Sequence, residues 1–172
     1  IFATHGDQVL SLLDNPTAKE IDVFKKFKYS SNTAYLHTDS SLMPRSKIAW
    51  SSWNFLNKSI AKKFTLTYWM NLLQNLPTNK NYFVTINPYK EPKNIINQTT
   101  FQHPIFSLDT LNAQKKVMQI QGLNNTYFCG SYLGYGFHED GIQSAVYISQ
   151  LLGCDLPWKR DKNFYNRIEI NN

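Results

Sequence analysis

Apolar residues recur at helical spacing over the first part of the chain, and near Tyr29 the period shortens to the two-residue alternation of strands. Ile1-Phe2-Ala3-Thr4-His5 reads as a buried strand, closed by Gly6-Asp7 and followed by a helical run over 8–13. Asn15-Pro16-Thr17 punctuates that run, and Thr17 with Glu20 three residues later makes a capping-box pattern. The helix it opens is expected to put Ile21, Phe24 and Phe27 on one face. Strands are predicted over 33–38, 48–54, 64–70 and 82–86, with a short helix over 71–76 that Pro77 stops. Asp39-Ser40-Ser41 is turn chemistry, and strands on such short connections argue for an antiparallel meander. Residues 87–97, with Pro88 and Pro92, read as a loop; a strand around 100–106 and an amphipathic helix over 108–121 follow.

The end of the chain has a different pattern. Tyr127-Phe128-Cys129-Gly130 reads as a short buried strand, 131–137 as a loop and 139–152 as a helix. Gly153 is placed to cap that helix, and Pro157 prevents its continuation. The expected fold class is therefore α+β: a mostly antiparallel sheet with helices, then one strand-loop-helix unit resembling the last piece of an α/β domain.

Composition narrows the class. At 172 residues the chain can bury one sizeable core, and 42% apolar residues with 15% aromatics exclude a disordered or fibrous protein. The eleven Phe, ten Tyr and four Trp suit a pleated sheet or a pocket for a flat or apolar ligand. No apolar run reaches the ~20 residues that span a bilayer. The absence of an initiator Met and of a signal-peptide pattern suggests a piece of a longer polypeptide.

The net charge of +6 admits an anionic membrane surface as a peripheral partner. Nucleic acid is not expected, because the lysines are scattered and no nucleic-acid motif is present. Lys25-Lys26-Phe27-Lys28 closes a predicted helix, where positive charge is favourable in any case. Lys159-Arg160-Asp161-Lys162 begins a mixed-charge tail. Cys129 and Cys154 lack metal-ligand spacing and suit a reducing cytoplasm. Asn-x-Ser/Thr triplets at Asn57, Asn97 and Asn124 are chance matches in an Asn-rich chain.

The stretch with most chemical content runs from Phe128 to Ala145. Gly130 ends a strand, Gly134 and Gly136 lie in the loop, and Gly141 falls in the first turn of the next helix. A helix that begins with Gly exposes unpaired N–H groups with no side chain in the way, and so favours an anion or a group that becomes negative. A flavin fits, since hydride arrival places negative charge along N1 and the C2 carbonyl. A phosphate fits as well, and a purely structural loop is the commoner case.

This segment resembles the C-terminal flavin-binding motif of the amine oxidase, protoporphyrinogen oxidase and phytoene desaturase superfamily, with Gly130, Asp140, Gly141 and Ile142 matching position by position. Further blocks, among them Leu42-Met43-Pro44-Arg45, Ala49-Trp50-Ser51-Ser52-Trp53-Asn54, Thr67-Tyr68-Trp69-Met70-Asn71 and Gly136-Phe137-His138-Glu139-Asp140-Gly141, are similar to a bacterial branch of FAD-binding amine-oxidase-like proteins. That branch is in turn similar to a domain fused to some plant cyclopropane fatty acid synthases.

The resemblance implies an FAD-dependent oxidoreductase acting on an amine, small-molecule or lipid-like substrate. It implies cofactor contacts at Gly130, Ser131, Gly136, His138, Glu139, Asp140, Gly141 and Ile142. It divides the chain into a substrate region over 1–122, a flavin-binding strand-loop-helix over 123–158 and a tail over 159–172. Two departures stand out. Ser131 takes the place of an acidic residue common in relatives, and the N-terminal Gly-x-Gly-x-x-Gly unit that grips the ADP part of FAD is missing. The missing N-terminal half is therefore an expected partner, and the chain by itself is expected to be inactive and to hold FAD poorly or not at all.

His37, Trp53 and Tyr68 are candidates for the substrate pocket, with a hydrogen-bonded structural role the alternative for His37. His138 is either a charge stabiliser or a loop histidine, and four dispersed histidines make no metal site. Catalytic residues are not assigned. A second function class stays open: a non-catalytic domain that holds a hydrophobic ligand on an aromatic-lined sheet.

Overall fold

The computed structural model describes residues 1–57, 64–159 and 166–168. The fold is α+β. In chain order the regular elements are α1 (Val9–Leu12), α2 (Ala18–Phe24), β1 (Lys28–His37), β2 (Trp53–Asn57), β3 (Phe64–Trp69), α3 (Met70–Leu73), β4 (Phe83–Ile86), β5 (Ile95–Ile105), α4 (Leu108–Ile120) and α5 (His138–Leu151). They fall into two compact units, Ile1–Ser30 with Pro104–Asn172, and Ser31–His103. The helix α4, in the region assigned from sequence to the substrate, thus packs in the same unit as the strand-loop-helix.

The first unit is built on helix packing. Thr17 opens α2 with a full capping box: its hydroxyl accepts from Glu20 N–H at 3.3 Å, while the Glu20 carboxylate accepts from Thr17 N–H at 2.7 Å. The buried line of this helix runs through Glu20, Val23, Phe24 and on to Phe27. Ile21 lies outside it and is exposed, so the expected Ile21–Phe24–Phe27 stripe is corrected: steps of three and four follow a 3.6-residue turn, whereas steps of three alone drift off the face. Val117 and Ile120 of α4 join Phe24, Phe27, Phe128, Tyr132 and Leu133 in the core.

The opening strand is a single parallel bridge, Phe2 with Phe128, and its residues are exposed or half-buried. The segment 127–130 likewise forms that one bridge and no longer strand. On the other side of Phe128 the Gln121 side chain replaces a strand neighbour. Its amide nitrogen donates to Phe128 O at 2.7 Å, and its oxygen accepts from Phe128 N–H at 2.8 Å. Ile168, in the expected tail, is also buried in this core. Residues 160–165 and 169–172, including most of the mixed-charge run, and Lys58-Ser59 of the first Asn-x-Ser triplet lie outside the described residues.

The second unit holds most of the sheet, whose strand order is β2-β3-β4-β1-β5. β2, β3 and β4 form the expected antiparallel meander, but β1 pairs with β4 and not with β2. The predicted strand over 48–54 is corrected: residues 47–49 form a 3-10 turn with Ile48 98% exposed, and pairing begins at Trp53. The predicted loop over 87–97 is shorter than expected, because β5 begins at Ile95.

The pairing register sorts the sheet into two faces. Trp53, Tyr68, Val84 and Leu36 lie in one row, and Trp69, Phe83 and His37 in the next, on the opposite face. The face carrying His37, Thr67, Thr85 and Phe83 is the buried one, covered by the segment with Leu42, Met43 and Trp50; the Trp50 ring meets those of Trp69 and Phe83 at 5.2 and 5.7 Å. The other face carries Trp53 and Phe55, 57% and 55% exposed.

The capping box predicts a local cost. Thr17→Ala removes the acceptor for Glu20 N–H and is expected to lower stability by about 1 kcal/mol, read as a shifted denaturant midpoint at unchanged slope.

Candidate functional site

The loop from Gly130 to Phe137 is held from both sides. Gly130 (φ +154°) donates its N–H to the Ser144 hydroxyl at 2.9 Å, and that hydroxyl donates to Gly141 O at 2.8 Å, latching the loop to α5. A side chain at Gly130 is impossible as packed, since its Cβ would lie 2.6 Å from the Tyr132 ring. From α4, the Gln114 amide donates to Tyr132 O at 2.9 Å and Gly134 O at 2.7 Å.

Asp140 sets the start of α5. It is completely buried, and its Oδ2 accepts from Phe137 N–H at 2.7 Å. Its Oδ1 lies 3.2 Å from Arg167 Nε, an ion pair without the alignment of a hydrogen bond. The Arg167 guanidinium also lies over the Tyr135 and Phe137 rings, at 5.5 and 5.3 Å. Gly134 is required by the same carboxylate, because a Cβ there would fall 2.5 Å from Asp140 Oδ1.

Gly141 is different. A Cβ on it would find only Ser131 N at 3.7 Å and Ser131 Cβ at 4.0 Å among the described residues, ordinary contacts, so their packing does not require glycine there. The N-cap residue of α5, Phe137, has no side chain that accepts from the N–H groups of the first turn. Ser131 is half-buried beside Gly141, while Gly136, His138, Glu139 and Ile142 are exposed, and Glu139 accepts from the Gln143 amide at 2.8 Å. The structure therefore groups the residues named from sequence around one helix end, with the Asp140 carboxylate turned inward. Asp140 is spent on Phe137 and Arg167 and positions the loop from within; it does not present its carboxylate to a ligand.

The three pocket candidates belong to the second unit and do not converge. Trp53 and Tyr68 are direct cross-strand neighbours on the half-exposed face, whereas His37 faces the buried side. This follows from strand parity, since Tyr68 pairs with Val84 and His37 with the adjacent Phe83. His37 Nδ1 accepts from Asp39 N–H at 3.1 Å, so Nε2 carries the proton and donates to Thr85 Oγ1 at 2.8 Å; Thr67 Oγ1 continues the chain at 3.0 Å. Burial, opposed by the Asp39 carboxylate, holds His37 below the ordinary imidazole range. Cys129 is a buried free thiol raised by the same desolvation, and Cys154 is an exposed one.

A cleft of about 350 Å³ opens in the first unit between α4 and the loop, lined by Leu108, Leu111, Met118, Leu133, Tyr135 and Arg167 among others. Arg167, Ser144 and Gln114 were not found from sequence. Arg167 lies in what reads as a charged tail, and no local pattern ties it to a carboxylate 27 positions earlier. No known protein family and no curated protein sequence matches the chain.

Two predictions separate structural from functional residues. Gly134→Ala is expected to cost about 1–3 kcal/mol by overpacking against a buried carboxylate. Gly141→Ala, in a helix with room for the methyl, is expected to be neutral or stabilising by up to about 1 kcal/mol. Thermal melts of the two variants decide the matter, and equal losses would show that Gly141 too is structural.

The folded His37 pKa lies below the unfolded value of about 6.5, so the unfolded state takes up protons first. Its contribution is whole above that value and declines as pH falls below it. The melting temperature is expected to drop between pH 7 and 5, with a flatter profile in His37→Asn.

Proposed function

We propose that this chain is the C-terminal portion of an FAD-dependent oxidoreductase of the amine oxidase type, acting on an amine or lipid-like substrate, and that its partner is an N-terminal half supplying the dinucleotide-binding unit. One observation carries the reading: Gly141, in the first turn of α5 behind an N-cap that offers no side-chain acceptor, leaves beside Ser131 a space that the described residues do not fill. The residues fit one edge of a flavin. Unpaired N–H groups at a helix N-terminus suit a carbonyl that gains negative charge, and the glycine lets a flat ring approach the backbone. Bound FAD would supply hydride acceptance. The chain's own part is to place the N–H groups of α5, with Ser131 at the edge of the space, while Asp140 and Arg167 hold the loop in position. With two free thiols and, among the described residues, no helix long and apolar enough to cross a membrane, we assign a cytoplasmic location with optional contact to an anionic membrane surface.

A second reading, a non-catalytic domain for a hydrophobic ligand, is favoured by the exposed Trp53 and Phe55 on the sheet face. The visible absorption spectrum of the protein expressed with its upstream coding region separates the two. Oxidised-flavin bands in the longer protein, at least tenfold weaker in Gly141→Ala of equal stability, are the expected result. A colourless longer protein that takes up no added FAD overturns the oxidoreductase reading and promotes the binding domain.

A further inference from the structure

We infer that one end of the sheet in the second unit docks on a bilayer carrying anionic lipids, with Ile48, Leu72 and Leu73 entering its surface and Arg45, Lys47 and Lys80 against the headgroups. This rests on the membrane contact proposed above and not on the flavin reading. The first support is where the charge sits. Of the 18 Lys and Arg and 12 Asp and Glu of the chain, Ser31–His103 holds eight and two, so this unit accounts for the whole net charge of +6 and the other is neutral. Its two acids, Asp39 and Glu91, flank a stretch, 40–90, with seven basic residues and no acidic one. The lysines are scattered along the sequence, but the fold gathers their excess into one unit, which attracts an anionic surface.

The second support is what stands at one end of that unit. Strand register brings together the start of β2, the end of β3 and the start of β4, at Trp53, Trp69 and Phe83. The segments beyond them are tied to one another. Trp50 packs edge-on against Trp69 at 5.2 Å, and the Asn71 side chain accepts from Tyr82 N–H and donates to Lys80 O, each at 2.8 Å. Ile48 lies two residues before Trp50, and Leu72 and Leu73 follow Trp69 in α3; they are 98%, 54% and 47% exposed. Large aliphatic side chains grouped in water mark an interaction surface. Arg45, Lys47 and Lys80 are exposed on the same segments, with Lys47 and Lys80 over the rings of Trp50 and Tyr82 at 5.9 and 5.7 Å. Asp39, two residues beyond the end of β1, is turned to the N–H groups of Ser41 and Lys93 at 2.9 Å. This mixture suits a bilayer, where apolar side chains enter the acyl boundary and long basic ones reach the phosphates. Nucleic acid would leave the leucines in water.

The test is co-sedimentation of the full chain with vesicles of phosphatidylcholine, alone or with about one-third phosphatidylglycerol. Binding to the anionic vesicles is expected to be at least tenfold tighter, and to weaken at least tenfold between about 0.05 and 0.5 M sodium chloride. Ile48→Ser and Lys47→Glu, both at exposed positions with folding checked by circular dichroism, are each expected to weaken it at least threefold. Lys19→Glu makes the same charge change on the exposed surface of the first unit and is expected to alter binding less than twofold. Equal binding to neutral vesicles, equal losses in Lys19→Glu and Lys47→Glu, unaltered binding in Ile48→Ser, or tighter binding of a duplex oligonucleotide than of the anionic vesicles each overturns the inference. None of these readouts involves flavin, so their failure leaves the absorption experiment to be judged by itself.

Discussion

The placing of the Tyr132 ring is the constraint on which the first unit depends. The ring packs against Phe27 and Phe24 at centroid distances of 4.9 and 6.4 Å, where Gly6 and Gly130 leave the space it needs. Aromatic contacts of this kind are worth about 0.5–1.5 kcal/mol each beyond the area they bury. The hydroxyl is buried with no hydrogen-bond partner among the described residues, and desolvation raises its pKa strongly, so its energetics oppose the burial that the ring favours. The packing of the ring in the core offsets that cost, and Tyr132 sits in the turn where the chain leaves the Phe2–Phe128 bridge for the loop. Gln114 then braces the two carbonyls of that loop, and Ser144 and Asp140 receive it on α5. The start of α5 is thus braced from α4 through Gln114 and from Arg167 through Asp140, as well as by its own loop.

In the second unit the covered face of the sheet mixes apolar and hydrogen-bonding groups. Hydrogen-bonding groups crowd the covered face, where His37, Thr85 and Thr67 satisfy one another and Asn54 bonds the backbone of Ser51 and Thr67. Large apolar side chains, Trp53 and Phe55, stand on the more exposed face. Buried polar groups are tolerated only when paired, and here they are paired across strands, so the chain of hydroxyls and imidazole also fixes the register of β1, β4 and β3. A one-residue slip would break every link of it.

Much of this was legible in the sequence where the signal is local. The capping box at Thr17 and Glu20, the bounds of β3, β4, α4 and α5 to within a residue or two, and the glycine after α5 follow from periodicity and caps. Failures fall where local pattern and tertiary packing diverge. Ile48-Ala49-Trp50 is apolar enough to pass for a strand, but its backbone bends into a turn and its first side chain points to water. Val23 was overlooked beside Ile21 because neighbouring β-branched residues look alike until the helix is docked. The sequence separates Gly130 at a strand end from Gly134 and Gly136 in the loop, yet that Gly130 and Gly134 are dictated by Tyr132 and Asp140 rests on contacts that only the folded structure reveals.

That division among glycines bears on chemistry. A glycine demanded by its own fold says nothing about a ligand, since substituting it damages the protein first. Gly141 alone of the helix-end group is free of such a demand. The carboxylate next to it in sequence, Asp140, is turned inward and matched by Arg167 and Phe137 N–H, while the other acid of the first turn, Glu139, is exposed and accepts from the Gln143 amide. Had Asp140 faced outward, it would have repelled the charge that a reduced flavin develops. Buried as it is, Asp140 fixes the helix end from within, and Arg167 ties that carboxylate to the rings of Tyr135 and Phe137.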